Sequence, residues 1–254
     1  MNLVFASGFL MPQRFLGQEY FRNVRATYPE ACFPRVPVTG SIETRARALA
    51  AQISAFMFPE PRAPTHIIAH SMAGLDARLA LHRNMSGLST RVASLSTIGT
   101  PHSGTPIADV LLGERWRHST MWRAMYRAFY RAAGALGISP DGLRDLTTGS
   151  ARQFNEKHPD IAAIPCHCYA GTGADAYLLR LTSAYIRSVG QTADERDNDG
   201  LVSVASASWK PLAEPPWPAD HIGQVGHSLV PPEFASRFAH LEALRRVVWR
   251  ATSG

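Results

Sequence analysis

In Ile67-Ile68-Ala69-His70-Ser71-Met72-Ala73-Gly74 an apolar run passes without a spacer into a helical pattern, and Ser71 stands at the junction. That is the setting of a nucleophile elbow, a sharp strand-to-helix bend with small residues two positions either side of an exposed serine Oγ. Ala69 and Ala73 stand where glycines are usual, which adds slight crowding. The helix that follows favours negative charge developing beside Ser71. The same octapeptide also fits a plain serine N-cap.

A nucleophilic serine needs a base, and the base needs an acid to orient it. Asp197-Asn198-Asp199-Gly200-Leu201-Val202 places an acid in a tight turn before an apolar run. Further on, past a proline-rich loop, comes Asp220-His221-Ile222-Gly223. The order Ser, acid, His is one of the known triad orders. His221 has the right order and loop setting, and His227 competes with it. His66 within a strand pattern and His240 within a helix pattern read as structural. An oxyanion would need two backbone donors. The Met72 amide, directly after the nucleophile, is one. The Phe9 amide, turned inward by Gly8 after the first strand, is the other.

These loops need strands beneath them. Leu3 to Ala6, Thr65 to Ala69 and Val92 to Ile98 read as buried strands, and Cys32 to Val38 as a strand broken by two prolines. Gln18 to Tyr28, Ser41 to Phe58, Met72 to Arg83 and Pro232 to Arg250 read as helices. Within Ser41–Phe58, Ile42, Ala46, Leu49, Ile53 and Phe56 recur at helical spacing behind a serine N-cap. Phe234, Phe238, Leu241, Leu244 and Val248 form the inner side of the last helix. Alternating strands and helices predict an α/β fold on a mostly parallel sheet, one domain over residues 1–254. Residues 108–150 interrupt the rhythm. There Trp122, Met125, Tyr126, Phe129, Tyr130 and Ala133 make one helical stripe flanked by Arg123, Arg127 and Arg131. It reads either as a core helix or as a helical cap whose apolar face covers an acyl substrate.

Composition narrows the function classes. The chain has 254 residues, 45% of them apolar and 18% charged, which fits a packed globular core rather than disorder. No apolar run approaches the ~20 residues of a membrane span, and the first residues do not read as a signal peptide. The expected setting is cytoplasmic. A net charge of +6 comes almost wholly from arginine, since Lys157 and Lys210 are the only lysines. The arginines are spread along the chain and no nucleic-acid motif accompanies them, so nucleic acid is not an expected partner. Cys32, Cys166 and Cys168 give no disulfide framework, and Cys166-His167-Cys168 reads as strand rather than as a metal site.

Together these segments resemble the bacterial lipase/esterase family of α/β-hydrolases, the group containing the Pseudomonas and Burkholderia triacylglycerol lipases. The likeness runs through Ser7-Gly8-Phe9, Gln18-Glu19-Tyr20-Phe21 and Gly40-Ser41-Ile42-Glu43-Thr44-Arg45-Ala46. It continues through Ala69 to Arg78, Thr97 to His102, Asn198 to Val202 and Asp220-His221. The resemblance implies an α/β-hydrolase fold, a catalytic triad of Ser71, Asp199 and His221, and an oxyanion hole at Phe9 and Met72. It implies a lid after His102, with Trp122, Tyr126, Phe129 and Tyr130 on the substrate side. Ser7 replaces the family's histidine before the oxyanion glycine, and Ala73 replaces its first elbow glycine after the nucleophile. The secreted members bind calcium through an Asp two residues beyond the catalytic His and a second carboxylate upstream. Gly223 stands at the first place and Tyr177–Ser188 carries no acid, with Asp175 just outside, so no metal and no cofactor is expected. The expected activity is serine carboxylic-ester hydrolysis of small-molecule or lipid esters, with peripheral contact to a lipid surface. Polyester depolymerase, thioesterase or acyltransferase activity on the same fold is an alternative. A lipid- or partner-binding protein without catalysis is another.

Overall fold

Side-chain alternation along the strands sorts the core onto two faces of one parallel sheet. The computed structural model describes residues 1–15, 17–59, 62–113, 128, 131, 141–159, 161, 163–231, 233 and 237–253. The sheet comprises β1 (Asn2–Ala6), β4 (Thr65–His70), β5 (Val92–Ile98) and β6 (Cys166–Tyr169), in the order β1-β4-β5-β6. All three pairings are parallel, with Ala6 beside Ala69, His70 beside Ile98, and Ile98 beside Tyr169. A two-residue hairpin of β2 (Arg14–Phe15) and β3 (Gln18–Glu19) lies outside it.

Val4, Ala6, Ile67, Ala69 and Leu95 meet α2 (Ile42–Met57) and α3 (Ala73–His82) on one face. Ile42, Ala46, Leu49, Ile53 and Met57 form the buried stripe of α2, and the Ser41 side chain caps it by accepting from the Thr44 N–H. Leu3, Phe5, Ile68, Ile98 and Tyr169 meet Tyr20, Phe21, Val24 of α1 (Val24–Thr27) and the last helix, His240–Thr252, on the other face. Among the described residues, α4 (Pro106–Leu111), α5 (Asp141–Asp145), α6 (Thr148–Lys157) and α7 (Tyr177–Val189) follow, then α8 (Ala193–Arg196), α9 (Val204–Ala207) and α10 (His240–Thr252). No helix of the described residues is long and apolar enough to cross a membrane.

Three expected elements differ. The helix expected over Gln18–Tyr28 is a hairpin strand plus the single turn Val24–Thr27. Asn23 is left-handed at φ +61°, which breaks a helix ahead of Val24, and Tyr20 and Phe21 are both buried in the core. The strand expected over Cys32–Val38 is one bridge, Val4 to Cys32, because Pro34 and Pro37 have no N–H to extend a ladder. The last helix begins at His240 rather than Pro232, and Phe238 reaches the core ahead of it by stacking on Trp217 at 5.3 Å. Phe234 lies outside the described residues.

Candidate active site

Ser71 follows β4 at a bend and has φ +59°, a left-handed conformation that strains a non-glycine residue. Two hydrogen bonds hold it there. Its N–H donates to the Ile98 carbonyl at 2.9 Å, and its own carbonyl accepts from Thr100 Oγ1 at 2.8 Å. Small residues make the bend fit: Ala69 and Ala73 are buried, and any side chain at Gly74 would overlap Thr100. Ser71 does not cap the helix that follows, whose N-cap is Met72 without a side-chain bond.

The sheet's carboxyl end gathers the partners. His221 Nε2 lies 2.9 Å from Ser71 Oγ, and its Nδ1 lies 2.8 Å from Asp199 Oδ2. A carboxylate only accepts, so the proton belongs on Nδ1 and the lone pair of Nε2 faces the serine hydroxyl. Asp199 is 1% exposed and held on every side. Its Oδ1 accepts from the Leu201 and Val202 amides at 3.0 and 2.8 Å, and its Oδ2 also accepts from Gln224 Nε2 at 2.7 Å. The His221 N–H donates to the Asp199 carbonyl at 2.9 Å, tying the two loops together. His227 is elsewhere, its Nε2 on the Glu19 and Tyr20 carbonyls at 2.9 Å each.

Gly8 carries the loop after β1 across the elbow. A Cβ at Gly8 would stand 2.6 Å from Ser71 Cβ and 2.8 Å from the Tyr20 hydroxyl, so only glycine permits this approach. Neither the Phe9 nor the Met72 amide donates a hydrogen bond to the backbone of another described residue. The Phe9 ring packs against Gly142 of α5. Arg45, on the buried stripe of α2, holds the loop from behind. It donates to the Ser7 carbonyl at 2.8 Å, to the Pro37 carbonyl at 2.6 Å and to Asp76 Oδ2 at 2.8 Å. Arg45 and Asp76 are both fully buried, and burial pushes the Asp76 carboxyl up to about 7 against the pull of Arg45.

Several residues of this site are not assigned by sequence reasoning: Arg45, Asp76, Gln224, and the pair Tyr20 and His70. For Arg45 the signal is a charge on the apolar stripe of an amphipathic helix, where a lone cation is costly unless paired. Gln224 carries no comparable signal beyond standing three residues after His221. Trp122, Tyr126, Phe129 and Tyr130 lie outside the described residues. Cys166 and Cys168 fall on β6 as expected, and burial pushes the Cys166 thiol up to about 12.

The two positions at which the resemblance implies calcium carboxylates hold none. Gly223 spends its N–H on Asp220 Oδ1 at 2.7 Å, and α7 carries no acid. Asp220 lies beside Asp175.

No protein-family model matches the chain. In sequence it is 28% identical over 183 residues to triacylglycerol lipase 2 of Saccharomyces cerevisiae, covering 69% of this chain and 51% of the yeast protein. The chain thus spans about half the length of that curated relative. In structure it is similar to lipase 1 from Pelosinus fermentans, with TM-score 0.66 and 18% identity over 97% of this chain and 98% of that one. A Bacillus licheniformis lipase in mature form gives TM-score 0.67 and 19% identity over 88% and 86% of the two chains. A metagenomic carboxyl esterase gives TM-score 0.69 and 19% identity over 98% and 76%. The chain has the α/β-hydrolase fold of these lipases and this esterase, and it is similar in sequence to a triacylglycerol lipase.

Proposed function

We propose that this chain is a serine carboxylic-ester hydrolase acting through an acyl-enzyme on lipid-like or other apolar acyl esters. The observation that carries this reading is the continuous hydrogen-bonded line from Ser71 through His221 to Asp199, at 2.9 and 2.8 Å, on a strained strand-to-helix bend. Likeness to lipases and esterases in fold and sequence supports it.

In this reading His221 Nε2 takes the Ser71 proton as Oγ attacks the ester carbonyl. Asp199 fixes the imidazole tautomer and stabilises the imidazolium, while the Phe9 and Met72 amides receive the oxyanion. The Oγ–C bond forms, and the C–O bond to the alcohol breaks as His221 returns the proton to the leaving oxygen. Water then repeats the sequence on the acyl-enzyme and frees the acid. Ser71→Ala should lower kcat on a short p-nitrophenyl ester by about 10³-fold or more. Retention of a substantial fraction of wild-type kcat refutes the assignment.

A further inference from the structure

His70 is 1% exposed, immediately precedes Ser71, and is hydrogen-bonded through both ring nitrogens. Its Nε2 lies 3.0 Å from the His221 carbonyl oxygen and its Nδ1 lies 2.7 Å from the Tyr20 hydroxyl. A carbonyl can only accept, so Nε2 carries the proton, and the lone pair of Nδ1 takes the proton donated by Tyr20. The two imidazoles of His70 and His221 stand 4.7 Å apart between centroids. A cation at His70 would oppose the charge that His221 must acquire in the transition state. Burial holds His70 well below the usual histidine range and Tyr20 above the usual tyrosine range, so both are neutral. The titratable groups facing His70 are Tyr20 and His221, with His227 beyond, and none is an acid that would draw a proton onto it. A phenol therefore fixes the tautomer without inviting protonation.

The same phenol meets the opposite wall of the site, since a Cβ at Gly8 would stand 2.8 Å from it. His227 Nε2 and the Arg22–Val225 backbone bond at 3.1 Å fasten the Tyr20 segment to the loop that carries His221. We propose that Tyr20 and His70 are positioning residues for the base: the Tyr20 hydroxyl sets the His70 tautomer, and His70 Nε2–H holds the His221 main chain so that its ring spans Ser71 and Asp199. This rests on the reading of Ser71 and His221 given above.

The test compares Tyr20→Phe, His70→Gln and His70→Asn with wild type for kcat, KM, the pH profile of kcat/KM and melting temperature. Tyr20→Phe removes one oxygen and no packing volume. It should lower kcat by about tenfold with KM within about twofold, and move the acid limb of kcat/KM to lower pH. Gln can place an amide nitrogen near the former Nε2, whereas Asn is too short, so His70→Gln should keep more kcat than His70→Asn. An unchanged kcat and acid limb in Tyr20→Phe overturns the proposal. So do Gln and Asn variants that lose activity equally and in step with melting temperature. A wild type that neither hydrolyses the ester nor takes a fluorophosphonate on Ser71 overturns the reading beneath it. A reactive wild type with unaffected variants removes the positioning role alone.

Discussion

Asp199 shows how much one carboxylate can specify. It accepts from two backbone amides, from Gln224 and from His221, so its charge is distributed over four donors and its orientation is fixed before any substrate arrives. Asp199→Asn tests whether charge or shape matters. The amide oxygen can still serve the Leu201 and Val202 amides, but the NH₂ group would face Nδ1 and force the wrong imidazole tautomer. On that account kcat falls by about 10⁴-fold while circular dichroism and melting are little changed. A loss of tenfold or less would mean that Asp199 does not orient the base. The Leu201 and Val202 amides belong to the turn that Asp199 itself opens, whereas His221 and Gln224 stand 22 and 25 positions away. The type and order of Ser71, Asp199 and His221 are legible because motif and chain order carry them. Tyr20 and His70 are fifty positions apart, so their pairing becomes visible only when β4 is in place beside the Tyr20 segment.

At the scale of elements, β4, the bend at Ser71 and α3 follow directly from the sequence. An apolar run and a helical stripe meet there, and the structure puts the strand at Thr65–His70 and the helix at Ala73–His82. The Gln18–Tyr28 segment follows tertiary demands, spending Tyr20 on His70 and Phe21 on the core, so local periodicity misleads. Helix α2 combines both lessons. Its apolar stripe is legible, but the stripe contains Arg45, which bridges to α3 through Asp76 and to the loop after β1 through the Ser7 carbonyl. Removing one member of a fully buried ion pair strands the other charge. Arg45→Ala should therefore lower the unfolding free energy by about 3–5 kcal/mol in urea titrations, and joint replacement of Arg45 and Asp76 by Leu should recover part of that. A single-variant loss below about 1 kcal/mol would show that the pair is not the anchor between these helices.

For the molecule as a whole, buried histidines set how stability responds to acid. Burial holds His70 and His102 well below the usual range, so they stay neutral in the folded protein while the unfolded chain protonates them below about pH 6.5. The unfolded state then binds more protons, and stability falls as pH falls. Asp76, raised to about 7, works the other way, because the folded state takes up a proton that an unfolded carboxyl releases until about pH 4. His66, His158, His167 and His240 are lowered by burial in the same direction, so the histidines outnumber the raised carboxyls of Asp76, Asp145 and Asp220 and the net effect is a loss of stability as pH falls from about 6.5 to 5.5. Urea titrations at several pH values measure it, and a protein that grows more stable over that interval contradicts the sign.

In the proposed reaction Ser71 is a nucleophile made reactive by His221. Mass spectrometry of the protein after exposure to a fluorophosphonate tests it most directly. One covalent adduct per chain is expected, on the peptide carrying Ser71, absent from Ser71→Ala and formed far more slowly in His221→Ala. An adduct on another serine, or none on a folded wild-type protein, would contradict it.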